Sequence, residues 1–172
     1  QPAKLAAMEG LWETGKGVPL VLFAIPDQKE EKNKFSIEIP KLSSLILTHS
    51  LDGEVQGLKD WKKDERPRVP IVFHSFRIMV GLGMIYLLVS WYGAFLITRS
   101  KMIHTKWFLR ILVVLAPTGI LATLCGWFVA EFGRQPWVIY NVLRTNEAAS
   151  DLPAHNVALS LTAIAVIYFG ML

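Results

Sequence analysis

The chain has 172 residues, of which 52% are hydrophobic and 19% charged, with 18 Lys and Arg against 14 Asp and Glu and a formal net charge of +4. Residues 1–70 hold 11 basic and 11 acidic side chains, so the basic excess lies entirely in the apolar remainder, which excludes a basic nucleic-acid-binding surface. A single cysteine, Cys125, excludes an intrachain disulfide framework and a thiolate metal cluster.

In chain order, residues 2–14 read as a short helix with Leu5, Met8, Leu11 and Trp12 on one side, suited either to a membrane or partner surface or to ordinary packing. Asp27 to Lys34 is a mixed charge run, read as a solvated turn. Gly53, Gly57, Pro67 and Pro70 mark the following stretch as loop. After Pro70 the composition changes. Three apolar segments, about 71–97, 107–131 and 153–172, are each long enough to cross a bilayer. Between the first two lie Arg99, Lys101, Lys106 and Arg110 with no acid, which places that short connection on the cytoplasmic side. Residues 1–70 and the connector 132–152 then fall on the opposite side. Pro136 suits the first position of a short helix over about 136–144, with Trp137 and Tyr140 at the membrane interface. A chain that starts at Gln and stops within an apolar run reads as a fragment of a longer reading frame.

The residues that could carry chemistry are few. From Ile111 to Ala130 no side chain is ionisable except the Cys125 thiol, and Glu131 follows at the end of that run. A carboxylate there either pairs with Arg134 at i+3 or serves a function. Met79 lies about 12 Å into its span at the helical rise, with small Ser75 and Gly83 one turn to either side. It is either packing or a thioether donor. Arg77 either snorkels to the interface or meets an anion. His74 is not adopted as a ligand, and His49, His104 and His155 read as surface residues. No phosphate-binding Gly-rich loop and no Ser-His-Asp pattern is present.

Three segments, in order, carry a resemblance. Gln1-Pro2-Ala3-Lys4-Leu5-Ala6-Ala7-Met8-Glu9, Phe76-Arg77-Ile78-Met79-Val80 and Gly133-Arg134-Gln135-Pro136-Trp137, the last preceded by Trp127 and Glu131, resemble subunit I of cytochrome bd-type quinol oxidases. The match corresponds to about the second half of such a subunit. It implies an all-α polytopic transmembrane bundle, here a fragment, with an extracytoplasmic quinol-loop region over 1–70 and membrane helices over 71–172, in a bacterial or archaeal cytoplasmic membrane. It also implies a terminal respiratory oxidase that oxidises ubiquinol or menaquinol and reduces dioxygen to water, generating proton motive force without pumping.

The same resemblance assigns roles. Met79 becomes an axial ligand of a low-spin haem b with Arg77 near its propionates. Glu131 becomes an axial ligand where a high-spin haem b and haem d lie side by side, with Trp127 packed on the macrocycles and Arg134 neutralising propionates. Lys59, in Gly57-Leu58-Lys59, and Glu65 would assist quinol oxidation, with Asp64 the neighbouring alternative to Glu65. Implied partners are subunit II, a small accessory subunit and membrane lipid, without nucleic acid. An electron-transfer-only b-type cytochrome and a transporter or channel segment are the competing readings.

Overall fold

The computed structural model describes residues 1–99, 105–148 and 152–171. Among the described residues six α-helices, six strands and two 3-10 turns follow in chain order. Helix α1 is Pro2–Glu9 and α2 is Leu42–Thr48. Helix α3, Val69–Thr98, has 30 residues. Helices α4, Lys106–Leu115, and α5, Thr118–Phe132, together make a 27-residue apolar stretch, and α6 is Ala154–Gly170. At about 1.5 Å per residue, both α3 and the α4–α5 stretch exceed the roughly 30 Å of a bilayer core.

Residues 1–70 correct the all-helical expectation. Strand β1 (Gly15–Lys16) pairs antiparallel with β4 (Glu54–Val55), and β2 (Leu20–Asp27) forms a hairpin with β3 (Lys32–Ile39). The alternation in Lys34-Phe35-Ser36-Ile37-Glu38-Ile39 is the strand signal, and the charge run is only its turn. Asp27 holds that turn: its carboxylate accepts hydrogen bonds from the Lys29 and Glu30 amides at 2.9 and 3.1 Å and from Lys34 Nζ at 2.7 Å. The Lys34 bond, with the two amides, lowers the Asp27 pKa to about 2.

Helix α1 ends five residues earlier than the sequence pattern suggests. Gly10 adopts a left-handed φ of 69° and its N–H bonds back to Ala6 and Ala7, a glycine cap that terminates the helix. The buried face is Ala3, Ala6 and Ala7 rather than Leu5 and Met8, because small side chains let α1 lie close against α3. Ala6, Ala7, Trp12, Leu58, Val69 and Val72 form one core, and Val21, Ala24 and Phe73 form a second beneath the β2–β3 hairpin. Trp12 donates its indole N–H to Asn33 Oδ1, and Asn33 donates to the Gly10 carbonyl, so hairpin and helix cap are tied together.

The second span is interrupted. Pro117 has no N–H to donate, which ends the hydrogen-bond ladder of α4. The Thr118 hydroxyl donates to the Leu115 carbonyl at 2.7 Å, so at the 2.8 Å contact between Tyr86 and Thr118 it is the Tyr86 hydroxyl of α3 that donates. Helices α3 and α5 run antiparallel, with Tyr86 on Thr118 and Met79 facing Gly126.

Past α5, a cis Gln135–Pro136 bond leads into strands β5 (Trp137–Ile139) and β6 (Leu143–Arg144), and the expected helix over 136–144 does not form. The run Trp137-Val138-Ile139 favours extended backbone, and Asn141 at a left-handed φ of 57° makes the turn. Arg144 then reaches back to Asp64 at 3.0 Å, which puts this hairpin at the same end of the helices as residues 1–70. Lys101 and His104 lie outside the described residues, so the basic connection is represented by Arg99, Lys106 and Arg110.

Candidate functional site

Met79 and Glu131 lie on the two paired helices α3 and α5. On α3, Met79 is half-buried, and its Sδ lies 3.2 Å from the position a Cβ on Gly126 would take. The absence of a side chain at Gly126 makes room for the thioether. Ser75 is buried, while Gly83 has open space beside it.

Two residues before Met79, Arg77 binds the carboxylate of Glu9 at 2.9 Å, with the two side chains only 16% and 9% exposed. Its guanidinium also lies over the rings of Phe73 and Phe76 at 5.0 and 5.3 Å. The Arg77 Nε is buried without a hydrogen-bond acceptor. Arg77 therefore neither snorkels nor is fully satisfied. Glu9 was missed at the sequence level, since its partner lies 68 residues away and only the stacking of α1 on α3 brings them together.

On α5, Glu131 is exposed and its carboxylate has no hydrogen-bond or ion-pair partner among the described residues. Its anticipated alternative, a salt bridge to Arg134, does not form. The Arg134 N–H bonds to the Glu131 backbone carbonyl, and its side chain is exposed. Glu131 instead borders a cavity of about 520 Å³, lined also by Arg68, Trp127, Phe132 and Gln135. Trp127, at i−4, was legible from helical spacing, and Gln135, expected at i+4, reaches the cavity from the turn beyond the end of α5. Arg68 was not legible.

The loop residues Lys59 and Glu65 make ion pairs of their own. Lys59 pairs with Glu13 at 2.8 Å, and that bond holds the Glu13 carboxyl below its ordinary range. Glu65 is 3.7 Å from Arg144, which makes its shorter bond to Asp64, so Lys59 and Glu65 are not paired with each other. The Arg144 bond likewise lowers the Asp64 pKa. His74 Nδ1 is 3.0 Å from the Pro70 carbonyl, a local helix contact.

The sequence profile described as cytochrome bd terminal oxidase subunit I matches residues 1–172. The chain belongs to the cytochrome bd oxidase subunit I family. It is 36% identical to cytochrome bd ubiquinol oxidase subunit 1 of Bacillus subtilis strain 168, over 98% of this chain and 38% of that protein. It is 31% identical to cytochrome bd-II ubiquinol oxidase subunit 1 of Escherichia coli K12, over 98% of this chain and 46% of that protein. The latter alignment runs over 234 residues, longer than this chain, so that relative carries inserted sequence. The solved bd oxidase of Geobacillus thermodenitrificans matches with a TM-score of 0.81 and 32% identity, covering 99% of this chain and 39% of that one. The chain thus spans less than half the length of these relatives.

Membership in the bd family implies haem, and the residues present fit it. Among the described residues no three His, Cys, Asp or Glu side chains converge on one point. Met79 and Glu131 each offer a single donor, which suits an iron whose remaining ligands come mainly from a macrocycle. The acceptor-less Nε of Arg77 has the chemistry a haem propionate would satisfy.

Proposed function

We propose that this chain is the part of a respiratory terminal oxidase that carries the quinol-side electron entry and half of the oxygen-reducing site. The reaction oxidises two quinols, releasing four electrons and four protons, and reduces one dioxygen to two waters with four protons taken up. The observation that carries the reading is an unpaired carboxylate, Glu131, at a cavity walled by Trp127 and Phe132. A lone acid beside aromatic walls at the end of a membrane-length helix has a use as an iron ligand and little use in packing.

Haem supplies the one-electron carriers and the dioxygen chemistry when bound. Met79 would hold the low-spin haem b, with the free Nε of Arg77 directed to a propionate. Glu131 and Trp127 would hold the high-spin pair of haem b and haem d. Glu9, buried and salt-bridged to Arg77 two residues before Met79, would take a proton from a quinol hydroxyl bound beside this helix. Lys59, held by Glu13, and Glu65 would border the approach from the loop side. Protons released outside and taken up from inside would charge the membrane without a pumping step. Subunit II, and a small accessory subunit, would complete the complex in a bacterial or archaeal cytoplasmic membrane.

The test is the reduced-minus-oxidised optical spectrum of the complete oxidase in membranes. A far-red chlorin band beside b-type bands is expected. Glu131→Gln is expected to remove a high-spin signal and leave the low-spin band, and Met79→Leu to do the reverse. Unchanged spectra in both variants refute the assignments, and a well-assembled complex without any haem signal refutes the oxidase reading itself.

A further inference from the structure

The Glu131 cavity contains a cation whose presence neither motif spacing nor family resemblance anticipated. Arg68 precedes α3 and contributes to the cavity lining together with Glu131. Its backbone is held between Pro67 and Val69, both fully buried, so the side chain is presented from a fixed point. Arg66, Arg77 and Arg144 are engaged, with Glu31, Glu9 and Asp64 in turn, whereas the exposed Arg134 side chain has no ion-pair partner among the described residues and does not line the cavity. Arg68 has no side-chain hydrogen-bond or ion-pair partner among the described residues, although it shares a cavity with a free carboxylate.

An arginine and a glutamate that border one cavity without pairing leave space for something between them. Its chemistry follows from the lining. An occupant must satisfy an anion at Glu131 and a cation at Arg68, and its body must suit the aromatic surfaces of Trp127 and Phe132. A flat apolar macrocycle with a central metal and a peripheral carboxylate meets all three demands. The planar guanidinium matches a carboxylate with two parallel N–H bonds, a geometry that lysine lacks.

We infer that Arg68 binds a carboxylate of the macrocycle seated at Glu131 and supplies positive charge that favours its reduced state. The inference rests on the haem reading above and assigns a residue that joins the 1–70 region to the high-spin site. Reduction adds negative charge at the iron, so a fixed cation nearby raises the midpoint potential, and its removal lowers it.

The experiment uses the complete purified oxidase carrying Arg68→Gln or Arg68→Lys, with haem quantified after extraction and each band titrated spectroelectrochemically. The low-spin haem in the same molecule serves as the internal reference. Arg68→Gln is expected to lower the high-spin midpoint potential, or its haem occupancy, and to leave the low-spin centre as in the parent. Arg68→Lys is expected to keep most of the potential and to lose occupancy in part. High-spin occupancy and potential equal to the parent in Arg68→Gln overturn the inference. If that variant does not assemble, Arg68→Lys decides: parental occupancy overturns the inference, and selective high-spin loss supports it. A parent complex without high-spin haem refutes the functional reading instead, so the two failures are distinguishable.

Discussion

Replacing Glu9 with Gln removes the charge that Arg77 faces and leaves its guanidinium almost buried. At the observed 2.9 Å separation and an effective dielectric of about 20, the attraction is about 6 kcal/mol before desolvation is counted. Truncating one partner of such a pair costs roughly 3–5 kcal/mol, because the surviving charge stays buried. The loss falls on the docking of α1, whose alanine face has little apolar area of its own to compensate. Hydrogen exchange of the α1 amides in the assembled complex reads it directly: a loss of 3 kcal/mol accelerates exchange roughly 100-fold or more. Replacing both partners by apolar residues, Glu9→Leu with Arg77→Met, is expected to cost less than either single change. Exchange within threefold of the parent in Glu9→Gln, or a double variant whose cost equals the sum of the singles, would refute the reasoning.

Two further outcomes follow from local geometry. Because the Asp27 pKa is lowered to about 2, its contribution to the hairpin turn is complete above the ordinary carboxylate pKa of 3.8 and fades as pH falls toward 2. Exchange at the Lys29 and Glu30 amides should accelerate in that window relative to neighbouring amides, and Asp27→Asn should abolish the pH dependence. Gly126→Ala introduces a Cβ at 3.2 Å from Met79 Sδ, so the thioether must move by a few tenths of an ångström. The low-spin band or its potential should shift with Glu131-dependent signals unchanged, and a parental low-spin centre would show that Met79 is not its ligand.

Two of the three apolar segments form membrane-length helices, legible because apolar run length is a one-dimensional property, while the third forms the 17-residue α6. Trp127 beside Glu131 was legible for a similar reason, since helical spacing places it, while Gln135 reaches the same cavity from the turn after α5. Contacts between distant segments were not legible. Glu9 meets Arg77 across 68 positions, and Arg68 enters the Glu131 cavity only after α3 and α5 have paired. The β2–β3 hairpin was hidden by a different cause, its charged turn drawing the reading away from a strand whose outer face keeps Phe35 and Ile37 exposed. At 136–144, helix-start logic for Pro136 lost to the extended preference of Trp137-Val138-Ile139 and the turn at Asn141.

The hydroxyl pair at the Pro117 break acts as an index mark for the whole seam. In a water-poor layer the Tyr86 proton has few other acceptors, so sliding α3 along α5 by one 5.4 Å turn would strand it. Distances along each helix are therefore counted from a common origin: Met79 lies seven residues from Tyr86, and Glu131 thirteen from Thr118. One residue inserted between Thr118 and Glu131 would swing the carboxylate about 100° around its axis, away from Arg68, while leaving the hydropathy of the span almost untouched. The sequence between these marks is constrained in length as strictly as in composition.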